Sequence, residues 1–126
     1  MKKKFSKNWN MSKQPRKQRK YRYNAPLNIK SKFMGSHLSK ELKEKHKTRS
    51  MVVKKGDSVK VLRGQFKGKT GKIDKVSIKK SKVYITNIEV IKKDGTKALY
   101  PIHPSNLIIT ELNLEDKKRT KRMEKR

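Results

Sequence analysis

Between Met51 and Leu112 apolar and polar positions alternate. Val59 and Val61 are interleaved with Ser58 and Lys60, and Ile73, Val83 and Ile85 continue the pattern with Lys72, Lys82, Tyr84 and Thr86 between them. A period of two with β-branched residues at the apolar positions predicts strands that bury one face and wet the other. Breaks fall at Lys55 to Asp57, Gly64 to Gly71, Lys79 to Ser81, Lys93 to Thr96 and Pro101 to Pro104. They leave short strands near positions 52, 60, 74, 85, 90, 99 and 109, which is the material of a small, highly curved β-barrel. At Asp94-Gly95 a two-residue primed hairpin turn is expected, because glycine supplies the positive φ such a turn needs.

Outside this stretch the pattern changes. Ser39 to Lys47 predicts a short helix with Glu41 one turn ahead of Lys45, and Leu38 and Leu42 give it one narrow apolar edge. Such a helix is too short to persist by propensity alone, so its leucines are expected to dock on the domain or on a partner. Leu114 to Lys125 predicts a charged C-terminal helix, with Glu115 and Asp116 at its positive end and Arg122, Lys125 and Arg126 at its negative end. The division expected is therefore an extended basic arm (1–37), a short helix (38–48), a barrel (49–112) and a basic C-terminal helix or tail (113–126).

Charge sharpens that division. The 126 residues carry 38 Lys and Arg against 10 Asp and Glu, a net charge of +28, with hydrophobic residues at 31%. That apolar content supports one small core, and a surface so basic is compact only where a polyanion supplies negative charge. Residues 1–40 hold 13 Lys or Arg and no acid. They read as a solvated, RNA-seeking arm, with Pro15 and Pro26 setting extended turns. At about 3.3 Å per extended residue, positions 12 to 34 would thread about 75 Å between nucleic-acid helices. The absence of cysteine excludes a disulfide framework and thiolate metal sites. No apolar run reaches the roughly 18 residues a membrane span requires. No membrane partner, cofactor, metal or small-molecule substrate is expected, and the chain is expected to be cytoplasmic.

The richest local motif runs from Gly56 to Ile73: a strand, a loop punctuated by Gly64, Gly68 and Gly71, and a return strand. Arg63, Lys67, Lys69 and Lys72 surround the loop with charge, its amides are expected to approach phosphate, and Phe66 either plugs the barrel or offers a stacking plane. This stretch resembles the KOW motif of ribosomal proteins and NusG-type transcription elongation factors, whose fold is an SH3-like barrel. By that resemblance Gly56, Gly64, Gly68 and Gly71 set the backbone turn, and Gly71 takes the place of the motif's characteristic glycine. The flanks narrow the resemblance. Met11 to Lys20, Asn24 to Leu27, Leu38 to Leu42, Arg49-Ser50 and Ile102 to Leu107 look like successive landmarks of the archaeal and eukaryotic form of the universal large-subunit ribosomal protein twenty-four family. Residues 1–10, which hold the only tryptophan, precede the likeness.

The resemblance implies binding of large-subunit ribosomal RNA near the polypeptide exit and support of early subunit assembly. Neighbouring large-subunit proteins, and nascent-chain factors at the exit site, are the implied partners. The alternative is a transcription elongation module of the NusG kind, which joins its KOW barrel to a separate α/β domain. The residues expected to touch RNA are Lys13, Arg16, Lys17, Arg19, Lys20, Tyr21, Arg22 and Tyr23 in the arm, then Arg49. On the barrel Lys60, Arg63, Lys67, Lys69, Lys72, Lys79 and Lys80 are expected to form one RNA face. Arginines fork onto phosphates and lysines act as point charges. Tyr21 and Tyr23 either stack on unpaired bases or pack on the chain's own barrel. No catalytic residue is assigned: His103 has no histidine partner nearby and reads as a turn residue, and Asp57 and Asp74 lack a third acidic partner. Asp57 is expected to accept local backbone bonds, and Asp74 to relieve repulsion among lysines.

Overall fold

The computed structural model of the chain describes residues 5–124. Its elements are α1 (Pro15–Asn24), α2 (Leu27–Lys30), β1 (Gly35–Leu38), α3 (Lys40–His46), β2 (Ser50–Val52), β3 (Ser58–Val61), β4 (Thr70–Ser77), β5 (Lys82–Ile91), β6 (Lys97–Ile102), β7 (Leu107–Glu111) and α4 (Lys117–Glu124). The seven strands form one sheet in the order β2-β1-β7-β3-β4-β5-β6. It is a mainly β fold of the small-barrel kind with helical ends, as the alternation implies.

Curvature comes from strands that change partners. The start of β4 pairs with β3 (Gly71 opposite Val59), while its later part pairs with β5 (Val76 opposite Val83). At the corner the register shifts between Ile73 and Lys75, and the Thr86 hydroxyl accepts from the Lys72 amide and donates to the Lys72 carbonyl, both at 3.2 Å. Gly71 belongs to this corner. A Cβ there would lie 2.6 Å from the Thr86 carbonyl oxygen and 2.7 Å from Ile85 Cγ2, so β4 and β5 approach only across glycine. The expectation that Gly71 sets a turn is therefore corrected: it lies within β4, and close packing is its reason. Gly56, Gly64 and Gly68 do occupy turns, each with φ near +90°.

The strands expected separately near 85 and 90 are one ten-residue strand. Val83 and Ile85 point into the core, and a strict period of two would bring Asn87 inward next. Instead Asn87 is left-handed at φ +67°, the pairing with β6 slips between Tyr84 and Glu89, and Ile88 turns inward with no exposure at all. The bulge re-phases the strand. The hairpin after β5 also differs from expectation. Lys92 N–H donates to the Thr96 carbonyl and Gly95 N–H to the Lys92 carbonyl, and of the two turn residues Gly95 has positive φ while Asp94 does not. This is a three-residue loop ending in a left-handed glycine rather than a two-residue primed turn.

Among the described residues twelve side chains make the core, including Met34, Leu38, Val53, Val59, Val61, Ile73, Ile85, Leu107 and Ile109, with Leu42, Met51 and Phe66 packed against it. Phe66 is thus a plug, its ring 5.0 Å from that of Tyr100. In α3 the Ser39 hydroxyl caps the Leu42 amide, and Leu38 and Leu42 dock on the barrel. The last turn of the arm is a strand: β1 runs parallel to β7 and antiparallel to β2, burying Leu38 and Ser36, whose hydroxyl donates to the Pro104 carbonyl at 2.5 Å.

The arm departs most from expectation. It is helical over Pro15–Asn24 rather than extended. Pro15 occupies the first turn, where its missing N–H costs nothing, and Gln, Lys and Arg are sound helix formers. Pro26 pushes Ala25 into an extended conformation and ends the helix. A helix rises about 1.5 Å per residue, so this part reaches less than half as far as an extended strand. Tyr21 anchors it, its ring 4.9 Å from Phe5 and 6.1 Å from Phe33. At the other end of the chain, α4 begins three residues later than the sequence pattern predicts, and the expected terminal cations Lys125 and Arg126 lie outside the described residues, as does the Arg122 side chain.

Candidate nucleic-acid interface

At 100° per residue, α1 divides its cations between two faces. Lys17, Tyr21 and Asn24 are half-buried, whereas Arg16, Arg19, Lys20 and Tyr23 share an adjoining, exposed face. Tyr23 is 82% exposed and free to stack. Tyr21 is committed to the aromatic stack with Phe5 and Phe33, so the two tyrosines have different surroundings. Lys17 lies with its ammonium 5.0 Å from the centre of the Trp9 ring. Lys13 precedes the helix and Arg22 lies on its flank, both exposed. The segment that carries these side chains, residues 1–40, contains no acid.

The β3–β4 connection presents Arg63, Lys67 and Lys69, all exposed, and Lys60 and Lys72 extend the charge onto the outer face of the two strands. Its backbone is not an open cradle. The amides of Lys67, Gly68 and Lys69 donate to the carbonyls of Gly64, Val61 and Phe66, so these three N–H groups are used within the loop. What the loop presents outward is side-chain charge, with Lys69 also resting 5.2 Å from the Phe66 ring centre. Lys79 and Lys80 are exposed but stand in the turn at the far end of the eight-residue β4, a path of about 26 Å along the strand. The seven barrel cations are thus two groups, not one face. Arg49 is exposed just ahead of β2.

Sequence reasoning missed the pair that joins α4 to the barrel. Asp57 has no exposure, and Arg119 is 5% exposed. Arg119 donates from Nη1 to Oδ1 at 2.5 Å and from Nη2 to Oδ2 at 2.8 Å, while the amides of Lys54 and Asn113 donate to the same carboxylate at 2.9 Å each. The same guanidinium donates to the carbonyls of Asn113 and Val52. Asp57 does accept the local backbone bond expected of it, but its larger role is to hold the C-terminal helix. Lys54 and Asp116 pair alongside, at the surface. No local signal marks Arg119 among the seven bases after Leu112, because its partner lies 62 positions away.

Neither candidate for other chemistry gathers partners. His103 Nδ1 accepts from the Ser105 amide at 3.2 Å and lies 2.8 Å from its hydroxyl, capping a 3₁₀ turn. Burial, with Lys82 and Arg22 nearby, holds its pKa below the ordinary histidine value. Asp74 pairs with Lys55 at 3.7 Å, as the neighbouring lysines lead one to expect. Among the described residues no group of three or more acids and histidines is placed to hold a metal, and no helix is long and apolar enough to cross a membrane.

The comparisons with known proteins decide what this basic barrel is. Residues 12–126 match the family that unites the eukaryotic ribosomal proteins L26 with their archaeal L24-type counterparts. The chain belongs to that family. The large ribosomal subunit protein uL24 of Methanosarcina barkeri is 48% identical over 115 residues, 91% of this chain and 99% of the relative. Its counterpart in Methanosphaera stadtmanae is 47% identical over 116 residues, covering 92% and 99%. The family is one of structural ribosomal proteins, not of enzymes, and the elongation-module alternative is not favoured. The match takes in α1, the barrel and α4, while Phe5 and Trp9 precede it.

Proposed function

We propose that this chain is a structural constituent of the large ribosomal subunit, in the cytoplasm, which binds large-subunit ribosomal RNA near the polypeptide exit and supports early subunit assembly. Membership of the ribosomal protein family carries the reading, and the exposed, acid-free face of α1 with the β3–β4 loop supplies its chemistry. Arg16, Arg19 and Lys20 take phosphates where RNA helices crowd together, Tyr23 stacks on an unpaired base, and Arg63, Lys67 and Lys69 form a second contact from the barrel. Neighbouring large-subunit proteins are partners in the same particle. The β5–β6 hairpin, whose tip from Lys93 to Lys97 is exposed and whose flank shows Ile91 at 70% exposure, or else the C-terminal helix α4, is the element we assign to solvent or to nascent-chain factors.

The test is co-sedimentation with large subunits through rising salt. The full chain is expected to follow the subunit at moderate salt, and removal of residues 1–32 to flatten the salt dependence while the barrel stays folded. Neutralising 6–10 phosphates costs about 10³–10⁵ in affinity between 50 and 200 mM salt by the DNA rule, and RNA follows in direction. A chain that follows RNA polymerase instead overturns the reading, and an unchanged salt slope after truncation means that the arm is not its electrostatic anchor.

A further inference from the structure

The segment ahead of the family match has an architecture of its own. Ser6 to Trp9 forms a turn closed by the Trp9 amide on the Ser6 carbonyl, and Phe5 secures it against Tyr21 of α1. Trp9 is left out of that aromatic stack, 54% exposed, and lines a cleft of about 500 Å³ with Met11, Lys17, Tyr21, Arg22 and Phe33. A second hollow on the same indole is lined by Arg16, Lys17 and Lys20. The surroundings are a flat π surface with an aromatic floor and a rim of four cations, and no acid lies within the first forty residues.

From this geometry we infer that Trp9 is a stacking platform for one unpaired nucleotide of RNA, held by its base on the indole and by its phosphate on Lys17 and its neighbours. The inference rests on the RNA-binding reading above and adds a subsite to it, in a part of the chain that the family match does not include. A lipid surface would want a broad apolar face beside its cations, whereas here the aromatics line a cleft, and an acidic peptide offers charge without a flat face. A single-stranded nucleotide offers both, and stacking is indifferent to which base arrives. Lys17 rests with its ammonium 5.0 Å from the indole centre, so the cation that takes the phosphate already stands beside the stacking surface.

Trp9 is the only tryptophan, so its fluorescence reports the site directly. The full chain is titrated at moderate salt with a short single-stranded uridine oligonucleotide and, in parallel, with inorganic polyphosphate, a polyanion without bases. The oligonucleotide is expected to quench the indole and polyphosphate to leave it nearly unchanged. Trp9→Ala is expected to weaken oligonucleotide binding by about 5- to 150-fold, the range of one base–aromatic stack, with the salt slope and the polyphosphate affinity unaltered. Trp9→Phe retains most of the affinity. Equal quenching by the two polyanions, or equal oligonucleotide affinity for Trp9→Ala and the natural chain, overturns the subsite. Either result leaves the ribosomal reading standing if the chain still sediments with large subunits, and loss of that sedimentation overturns the ribosomal reading by itself.

Discussion

The arm and the barrel solve opposite problems with the same residue type. In the barrel, lysines occupy outward positions of strands whose inward positions are Val59, Val61, Ile73, Val83 and Ile85, so hydrophobic burial offsets the repulsion they bring. Among the described residues of the arm up to Lys30, buried apolar side chains are limited to Ala25 and Ile29, while α1 carries five cations and no acid. A ten-residue helix in water is marginal even for favourable sequences, and like charges a turn apart weaken it further. The difference teaches that the barrel contains its own reasons to fold, whereas little of what holds the arm's helix comes from burial.

The sharpest way to break the comparison is at the buried ion pair, because there the barrel behaves like neither region. Asp57→Ala leaves Arg119 buried without its carboxylate, and such a loss costs about 3–5 kcal/mol. Urea unfolding of the free chain is expected to show it as a lowered midpoint; a loss below about 1 kcal/mol, the scale of a surface pair, would mean that the bridge is effectively solvated. Next in size is Gly71→Val, which drives side-chain atoms into the Thr86 carbonyl and Ile85 and is expected to destabilise the barrel by about 1–3 kcal/mol. Thermal unfolding checks it, with Gly64→Ala as a comparison where φ, not space, is the constraint.

A smaller effect attaches to His103. Its folded pKa is lowered, chiefly by burial and then by Lys82 and Arg22, so the unfolded chain takes up a proton at higher pH than the folded one. The stability it contributes is full above about pH 6.5 and is lost as pH falls through the folded value. The melting temperature is expected to drop between about pH 7.5 and about pH 5.5 less in His103→Asn, which keeps an acceptor for the turn, than in the natural chain. At the bottom of the stability scale stands the triple change Arg16→Ala, Arg19→Ala, Lys20→Ala. It is expected to leave the barrel's melting unchanged, yet to lower the slope of log affinity against log salt by about 2, at about 0.7 per single-strand phosphate contact. A fall in melting temperature with no change in slope would reverse the assignment of roles.

What was legible follows the same boundary. The alternation at Val59, Val61, Val83 and Ile85 announced the barrel because burial on one face leaves a direct trace in composition. The spacing of Glu41 and Lys45 announced α3 because an i,i+4 pair is local. The trace fails where structure depends on a distant partner or on a backbone adjustment. β1 was hidden because Ser36 is polar at a core position, its hydroxyl satisfied by Pro104. Ile88 broke the period because Asn87 re-phases the strand. The helix α1 was hidden by its own charge, since an acid-free run looks solvated until Phe5 and Phe33 are seen to trap Tyr21. Among the candidate contacts, the division of α1 into two faces follows from helical spacing once the helix is known. The separation of Lys79 and Lys80 from the loop cations follows only from the path of β4.

The strand order has a consequence for the order in which the chain can be built. β7, the final strand, lies between β1 and β3, and Arg119 of α4 closes on Asp57. A chain emerging from its N-terminus therefore has no route to a finished sheet until residue 111 is available, and no buried partner for Asp57 until residue 119 follows. The basic arm needs no such closure: α1 is complete by residue 24 while the barrel is still waiting for its keystone. Chains ended at residue 105 are expected to show the arm's affinity for RNA and no cooperative unfolding, which separates the timing of attachment from that of folding.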